Sequence, residues 1–267
     1  MNNLHRELAP VSAGAWRQIE QEAARTLKRH LSARRVVDVI GPKGPDHAAV
    51  GTGHLRALEA PSEGVLSMQH QVKALVQLRA PFELSRQAID SVDRGANDPD
   101  LQPLKDAARR IAFAEDRAVF EGYEAAGIPG IRHASSNPAL ALPADVKEYP
   151  AAVAFAVSTL RDAGVEGPYV LLLGEEAYTR LGGAPADSYP VLKDVRALVD
   201  GEIIWAPAIK GGVVLTTRGG DFELHLGQDL SIGYLGHTDT HVQFYFEETF
   251  TSLTLTTEAS VILAGQG

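Results

Sequence analysis

From residue 50 to residue 82 the chain reads as a long β-hairpin that nothing adjacent in sequence can shelter. Val72, Ala74, Val76, Leu78 and Ala80 alternate with Lys73, Gln77 and Arg79, the period of a strand with one covered face. Residues 54–60 form the earlier arm, and Pro61, Ser62, Glu63 and Gly64 supply turn chemistry between the two. A two-stranded ribbon is marginal in water by itself, and its open edges invite pairing. Such an arm must lie on its own domain or on another copy of the chain, so this stretch points to assembly.

The rest of the chain has to supply the domain. Its 267 residues, 45% hydrophobic and 22% charged, fit one large folded domain or two modest ones. No cysteine is present, which excludes disulfides, thiolate metal sites and a cysteine nucleophile and leaves stability to packing or assembly. A formal net charge of −9 argues against nucleic acid as a general partner, because phosphate backbones are held by clustered Lys and Arg. The apolar runs 151–157 and 170–173 are far too short to span a bilayer, and the first residues lack a signal-type apolar core. A cytoplasmic protein with no membrane partner is expected.

In chain order, residues 12–31 predict a helix capped by Ser12, with Trp16, Ile19, Ala23, Leu27 and Leu31 along one face. A short charged strand is expected over 34–39, and a short helix over 85–92 closed by Gly95. Residues 100–126 predict a spine helix about 40 Å long, with Asp100 as cap, Pro103 in the first turn and Gly127 as its stop. After a crossing at 128–149 comes an α/β unit: helix 151–163, strand 169–173, helix 175–181, loop 182–189, helix 191–199, strands 202–206 and 213–217. In residues 219–234, Phe222, Leu224 and Leu226 alternate with Glu223 and His225, Gly227-Gln228-Asp229 interrupts, and a second run ends at Gly233-Tyr234; this predicts a β-hairpin. A last strand is expected within 241–257, with Val242, Phe244 and Phe246 on one face.

Catalytic signatures are missing. Gly51-Thr52-Gly53 lacks the third glycine and following helix of a dinucleotide site, and neither a Gly-x-Ser-x-Gly elbow nor His-Glu-x-x-His occurs. His237, Asp239 and His241 alternate, but i and i+4 of a straight strand are about 13 Å apart, too far for one ion, so a solvated turn is the expectation. The pairs Glu175-Glu176 and Glu247-Glu248 diverge in direction and are not read as catalytic carboxylates. No catalytic residue and no metal site is expected.

Motifs spread along the chain nevertheless match one family in order: Leu8-Ala9-Pro10 before Trp16, Arg34 to Val39 (RRVVDV), Leu78 to Phe82 (LRAPF), Ile89-Asp90, Arg94-Gly95, Glu115-Asp116, Phe120-Glu121-Gly122, Gly167-Pro168-Tyr169, Ile203 to Pro207 (IIWAP), Gly219 through Tyr234, and Glu248-Thr249-Phe250. The sequence resembles the encapsulins, nanocompartment shell proteins of the linocin family, in their actinobacterial form. The resemblance implies an α+β fold, the tailed-phage major capsid protein fold of the Hong Kong 97-like type. It implies a peripheral domain from 1–49, 83–133 (with the spine helix) and 219–267, an extended loop at 50–82 and an axial domain at 134–218. Gly182, Gly183, Asp187, Ser188 and Tyr189 would then belong to a pore loop.

The resemblance further implies a non-enzymatic icosahedral homo-oligomer that encloses a cargo enzyme by binding its C-terminal peptide on the inner wall. Carried over by position, Leu31, Arg34, Val37, Asp38, Asp229, Ile232 and Tyr234 would form the peptide groove, with Arg34 and Asp38 fixing direction. Family cargoes imply a dye-decolourising peroxidase first and a ferritin-like protein next, hence oxidative-stress defence or iron storage. Some members stack flavin on a Trp where this chain has Gln87, so no cofactor is expected, and the arm's turn offers no lysine for crosslinking. Linocin relatives described as bacteriocins or proteases, and a prophage capsid protein, are the competing roles.

Overall fold

A computed structural model describes residues 3–183 and 189–265. Ser12 caps α1 (Ala13–His30), its Oγ accepting the Ala15 amide at 3.0 Å. Ala15, Ile19 and Ala23, each four residues apart, are buried where α1 meets α3 (Gln102–Phe120). With 19 residues, α3 is about 28 Å long rather than the expected 40 Å. The start lies two residues later than expected, with Leu101 in the cap position and Asp100 just before it accepting the Gln102 amide at 3.0 Å. The end comes earlier. Gly122 stops the helix at φ 96°, where a Cβ would lie 2.4 Å from the Pro129 carbonyl oxygen, and Gly127 closes only a 3-10 turn, Glu124–Ala126. Pro129 leads from there into the short α4 (Gly130–Ala134).

The first sheet is organised on β11 (His241–Thr254). Along one edge of it runs β4 (Val76–Ser85), from His241↔Ser85 to Phe250↔Val76. Only β2 (Ala49–Leu58) and β3 (Ser67–Ala74) therefore form the two-stranded arm, and the expected hairpin ends at Ala74, with Leu75 donating to the Ala48 carbonyl at 2.9 Å. The apolar alternation continues unbroken across that junction, but only its sheet half is covered: Val72 and Ala74 are exposed, Ala80 and Phe82 buried. On the arm, Leu55, Leu58, Val65, Leu66, Met68 and Val72 are exposed, Leu66 at 95%.

The other edge of β11 corrects the reading of residues 219–234. Strand β9 (Phe222–Leu226) pairs with Thr254 to Phe250, and β10 (Ser231–His237) pairs with Glu247 to Val242. The two runs lie end to end along the same edge, not side by side. Gly227 and Gln228 keep the ladder going, donating to the Thr249 carbonyl at 2.8 Å and accepting its amide at 2.9 Å. Gly227 is required there because a Cβ would sit 2.4 Å from Thr249 Oγ1. The hairpin is instead β10–β11, turned at Thr238, Asp239 and Thr240.

Outside β9 lies β1 (Asp38–Ile40), in parallel from Asp38↔Glu223 to Ile40↔His225. The strand expected from residue 34 begins only at Asp38, because Ala33–Arg35 is a 3-10 turn held by the buried Asp116 carboxylate, which accepts the amides of Ser32 and Ala33 at 2.9 Å each. The helix α2 (Arg86–Asp93) packs against α1, capped by Ser85.

The second sheet runs β5 (Leu140–Ala141), β12 (Ser260–Ala264), β8 (Gly212–Thr216), β6 (Tyr169–Leu173), β7 (Ile203–Trp205). Every residue of β6 and β8 is buried, as the near-continuous apolar runs require. Helices α5 (Tyr149–Asp162), α6 (Glu175–Gly182) and α7 (Tyr189–Val199) pack on it. Strand β12 was expected with the last part of the peripheral domain, yet it pairs antiparallel with β8 and so ties the chain's end to the α/β unit. One apolar cluster fills this sheet and continues through Phe120, Leu224 and Phe250; another joins α1, α2, β4, β10 and β11.

Candidate peptide groove and the buried charge cluster

Arg34 sits in the 3-10 turn between α1 and β1, where α3, β10 and β11 converge. Its Nε donates to both oxygens of Glu115 at 2.9 Å, its Nη1 to Asp229 at 2.6 Å and its Nη2 to Glu248 at 3.2 Å. Glu115 and Glu248 are fully buried, and the Arg34 side chain is 17% exposed. Burial works against the Arg34 charge, but Glu115 and Asp229 more than offset it and hold the guanidinium protonated. One cation thus faces two buried carboxylates and the part-exposed Asp229, an excess of negative charge that favours a proton on one of the buried pair. Burial, then the neighbouring Glu115, hold the Glu248 carboxyl well above the usual range.

Next to this cluster Asp116 accepts from the Ser32 amide, the Ser32 hydroxyl and the Ala33 amide. These donors favour its charge, yet burial dominates and, with Glu115 beside it, pushes its pKa up to about 7.

The other expected groove residues are strung out. Leu31 closes α1, buried, its amide on the Leu27 carbonyl at 2.9 Å. Val37 is packed into the cluster of the second sheet. Asp38 accepts the Gly220 amide at 2.6 Å and lines a small cleft of about 160 Å³ with Val37, Asp221 and Phe222. Asp229 is held by Arg34; Ile232 is buried; Tyr234 is half-buried, with its hydroxyl on His237 Nδ1. Arg34 and Asp229 are therefore brought together, while Asp38 and Tyr234 mark the two ends of a line along the outer edge of β9 and β10. Asp38 is level with Glu223, so the line to Tyr234 is at most about 36 Å long.

Sequence reasoning missed what lies on that edge. Residues 3–8 return across β10: the Tyr234 amide donates to the Leu4 carbonyl at 2.8 Å, and Tyr245 Oη to the Asn3 carbonyl at 3.2 Å. Asn3 Nδ2 reaches Gln228 at 3.0 Å and Glu247 at 3.3 Å. Leu4 is buried, and Arg6 lies over the Trp16 ring at 4.2 Å. The signal in the sequence was slight: Leu4 and Leu8 are the apolar residues of an otherwise polar stretch, residues 3–8.

Gly182 and Gly183 end α6 and are exposed; Asp187 and Ser188 lie outside the described residues, and of Tyr189 only its place at the start of α7 is described. Among the described residues no group of His, Asp or Glu is arranged to hold a metal, and no helix is long and apolar enough to cross a membrane. His237 and His241 flank the β10–β11 turn, His241 Nδ1 sitting 3.0 Å from Thr240 Oγ1.

Comparison with known proteins identifies relatives along the whole chain. The Linocin_M18 family model, described as encapsulating protein for peroxidase, matches residues 1–251. A type 1 encapsulin shell protein of Rhodococcus erythropolis is 56% identical over 99% of this chain and 100% of its own length. That of Mycobacterium tuberculosis is 55% identical with the same coverage. Among solved structures, a virus-like particle from Pyrococcus furiosus superposes with a TM-score of 0.62 at 15% identity, covering 92% of this chain and 98% of that one. The capsid of Myoviridae phage XM1 gives 0.55 at 12% identity, over 88% and 92%. These two likenesses show the Hong Kong 97-like capsid fold.

Proposed function

We propose a function on the premise that this chain belongs to the Linocin_M18 family of encapsulating proteins, a family of non-enzymatic shell subunits. Copies of the chain assemble into a closed encapsulin shell around a cargo enzyme, favoured as a dye-decolourising peroxidase with a ferritin-like protein next. The cargo's C-terminal peptide docks on the inner wall, between α1 and the strands of the first sheet, on the stretch from Asp38 to Tyr234. Protection from oxidants or storage of iron would follow from which cargo is enclosed.

The observation that carries the assembly is the arm. Six large apolar side chains on β2, β3 and their turn are exposed, on a ribbon that no other strand of the chain pairs among the described residues. A soluble protein rarely leaves so many large apolar side chains of one ribbon in water, and the capsid-like fold gives them a neighbouring copy to lie on. Size-exclusion chromatography with negative-stain imaging tests this: closed particles of uniform size are expected, and a stable monomer or dimer at micromolar concentration overturns it. A packaged genome would favour a prophage capsid instead.

Docking is supported by the part-exposed Asp38 and Tyr234 on this edge of the sheet, suited to a short tail with basic and apolar residues, while Ile232 lies behind them in the core. Several tails on an oligomeric cargo would add avidity. Co-expression with a tailed peroxidase or a tailed ferritin-like protein tests the cargo class. Co-purification of one and not the other assigns it, and exclusion of both refutes the docking.

A further inference from the structure

Away from that edge, a cavity of about 690 Å³ opens between the second half of α1, the first half of α3 and Trp205 at the end of β7. On a chain of net charge −9, its wall reverses the sign: Arg25, Arg29, Lys105 and Arg109 outnumber Glu22, Asp106 and Glu175. The excess is one positive charge, and pairing distinguishes the cations. Glu22 is engaged by Arg25 and stands 4.0 Å from Lys105 Nζ, and Asp106 accepts from Gln102 at 2.9 Å. Arg29 and Arg109 form no ion pair with a described carboxylate.

Each of these guanidinium groups instead lies over a ring, Arg29 over Trp205 and Arg109 over Phe113, both at 5.6 Å. The His30 ring stands 5.7 Å from each of those rings and is itself fixed by Nδ1 at 2.8 Å from the Thr26 carbonyl. Stacking favours these positions of the two forks and leaves their N–H groups without a partner among the described residues. Planar forks of this kind match phosphate oxygens bidentately. The volume falls in the range of small-ligand sites, roughly 300–1,000 Å³.

We propose that this cavity binds a phosphate-class polyanion, with its oxygens on Arg29 and Arg109 and any ring it carries against Trp205. Two sources share that chemistry: an inorganic polyphosphate and a nucleoside phosphate. The site lies within one chain and rests on nothing said above about cargo.

Isothermal titration of the purified assembled protein with pyrophosphate and, separately, with ADP, at low salt and without divalent metal, decides between them. Saturation at one ligand per chain is expected for at least one of the two. ADP binding at least threefold tighter assigns a ring contact and the nucleoside source, and equal affinity confines the site to the anion. The double variant Arg29→Ala/Arg109→Ala should lose more than tenfold in affinity, while Arg17→Ala/Lys28→Ala, which removes the same charge at exposed positions outside the cavity, should change nothing. Because Arg29 and Arg109 are exposed, the double variant should elute as wild type, which keeps the comparison valid. No saturable heat at millimolar ligand, or full affinity in the double variant, overturns the proposal.

Discussion

Arg34 carries two burdens, and the structural one comes first. It is the cation that Glu115 and Glu248 share in the interior, so Arg34→Ala leaves buried carboxylates without it, a change that costs about 3–5 kcal/mol in comparable pairs. Chemical denaturation of the variant should show a loss of that order; a loss below about 1 kcal/mol would mean the cluster is solvated. The proton on Glu248 gives a second prediction with a definite sign. Its folded pKa is raised above 4.5, so the folded chain holds a proton that the unfolded chain releases. Its contribution is complete below about 4.5 and declines as pH rises toward the folded value. Asp116 adds in the same direction, between 3.8 and about 7. Melting temperature should therefore fall from pH 5 to pH 8, and Glu248→Gln, which keeps a donor toward Glu115, should make the fall shallower. An unchanged slope would put the titration elsewhere. None of this was legible in the sequence, where Arg34 lies 81, 195 and 214 positions from Glu115, Asp229 and Glu248. The family resemblance suggested a peptide contact, but only the fold reveals which carboxylates already use it.

At the scale of elements, the arm is the part whose sequence and structure agree on a need for a partner. Leu66 is almost wholly exposed in the single chain, so Leu66→Asp should leave far-UV circular dichroism and the subunit's fold unchanged. In the shell it would bury a carboxylate against an apolar neighbour, and particles should be lost or reduced more than tenfold by size-exclusion. Intact particles would show that the arm's tip faces solvent in the assembly. The elements themselves were largely legible. Ser12 and Ser85 begin their helices as expected, and the strand at 169–173 has the predicted bounds. The misreadings share one cause, which is that local period reports a strand but not its partner. Residues 72–80 keep one alternation while changing sheets at Leu75, and residues 222–234 look like a hairpin because an interruption at Gly227 resembles a turn. The end of α3 was misplaced because Gly127 and Gly122 are equally good stops on paper, and only the close approach of Pro129 selects Gly122.

For the whole molecule, net charge and contact chemistry pull in opposite directions, and salt separates them. Each chain brings a formal charge of −9 to any assembly, so closing many copies into a shell gathers like charges. The contacts offered by the arm are apolar and little affected by ionic strength. Screening should therefore favour the shell: the Debye length falls from about 30 Å at 0.01 M to about 3 Å at 1 M. Subunits dissociated in mild denaturant and returned to buffer should assemble more completely at 0.5 M sodium chloride than at 0.02 M, as read by light scattering. The opposite dependence would assign closure to intersubunit ion pairs. Exposed charges such as Arg56 and Lys73 on the arm would then be its first candidates, and the apolar strip would be secondary.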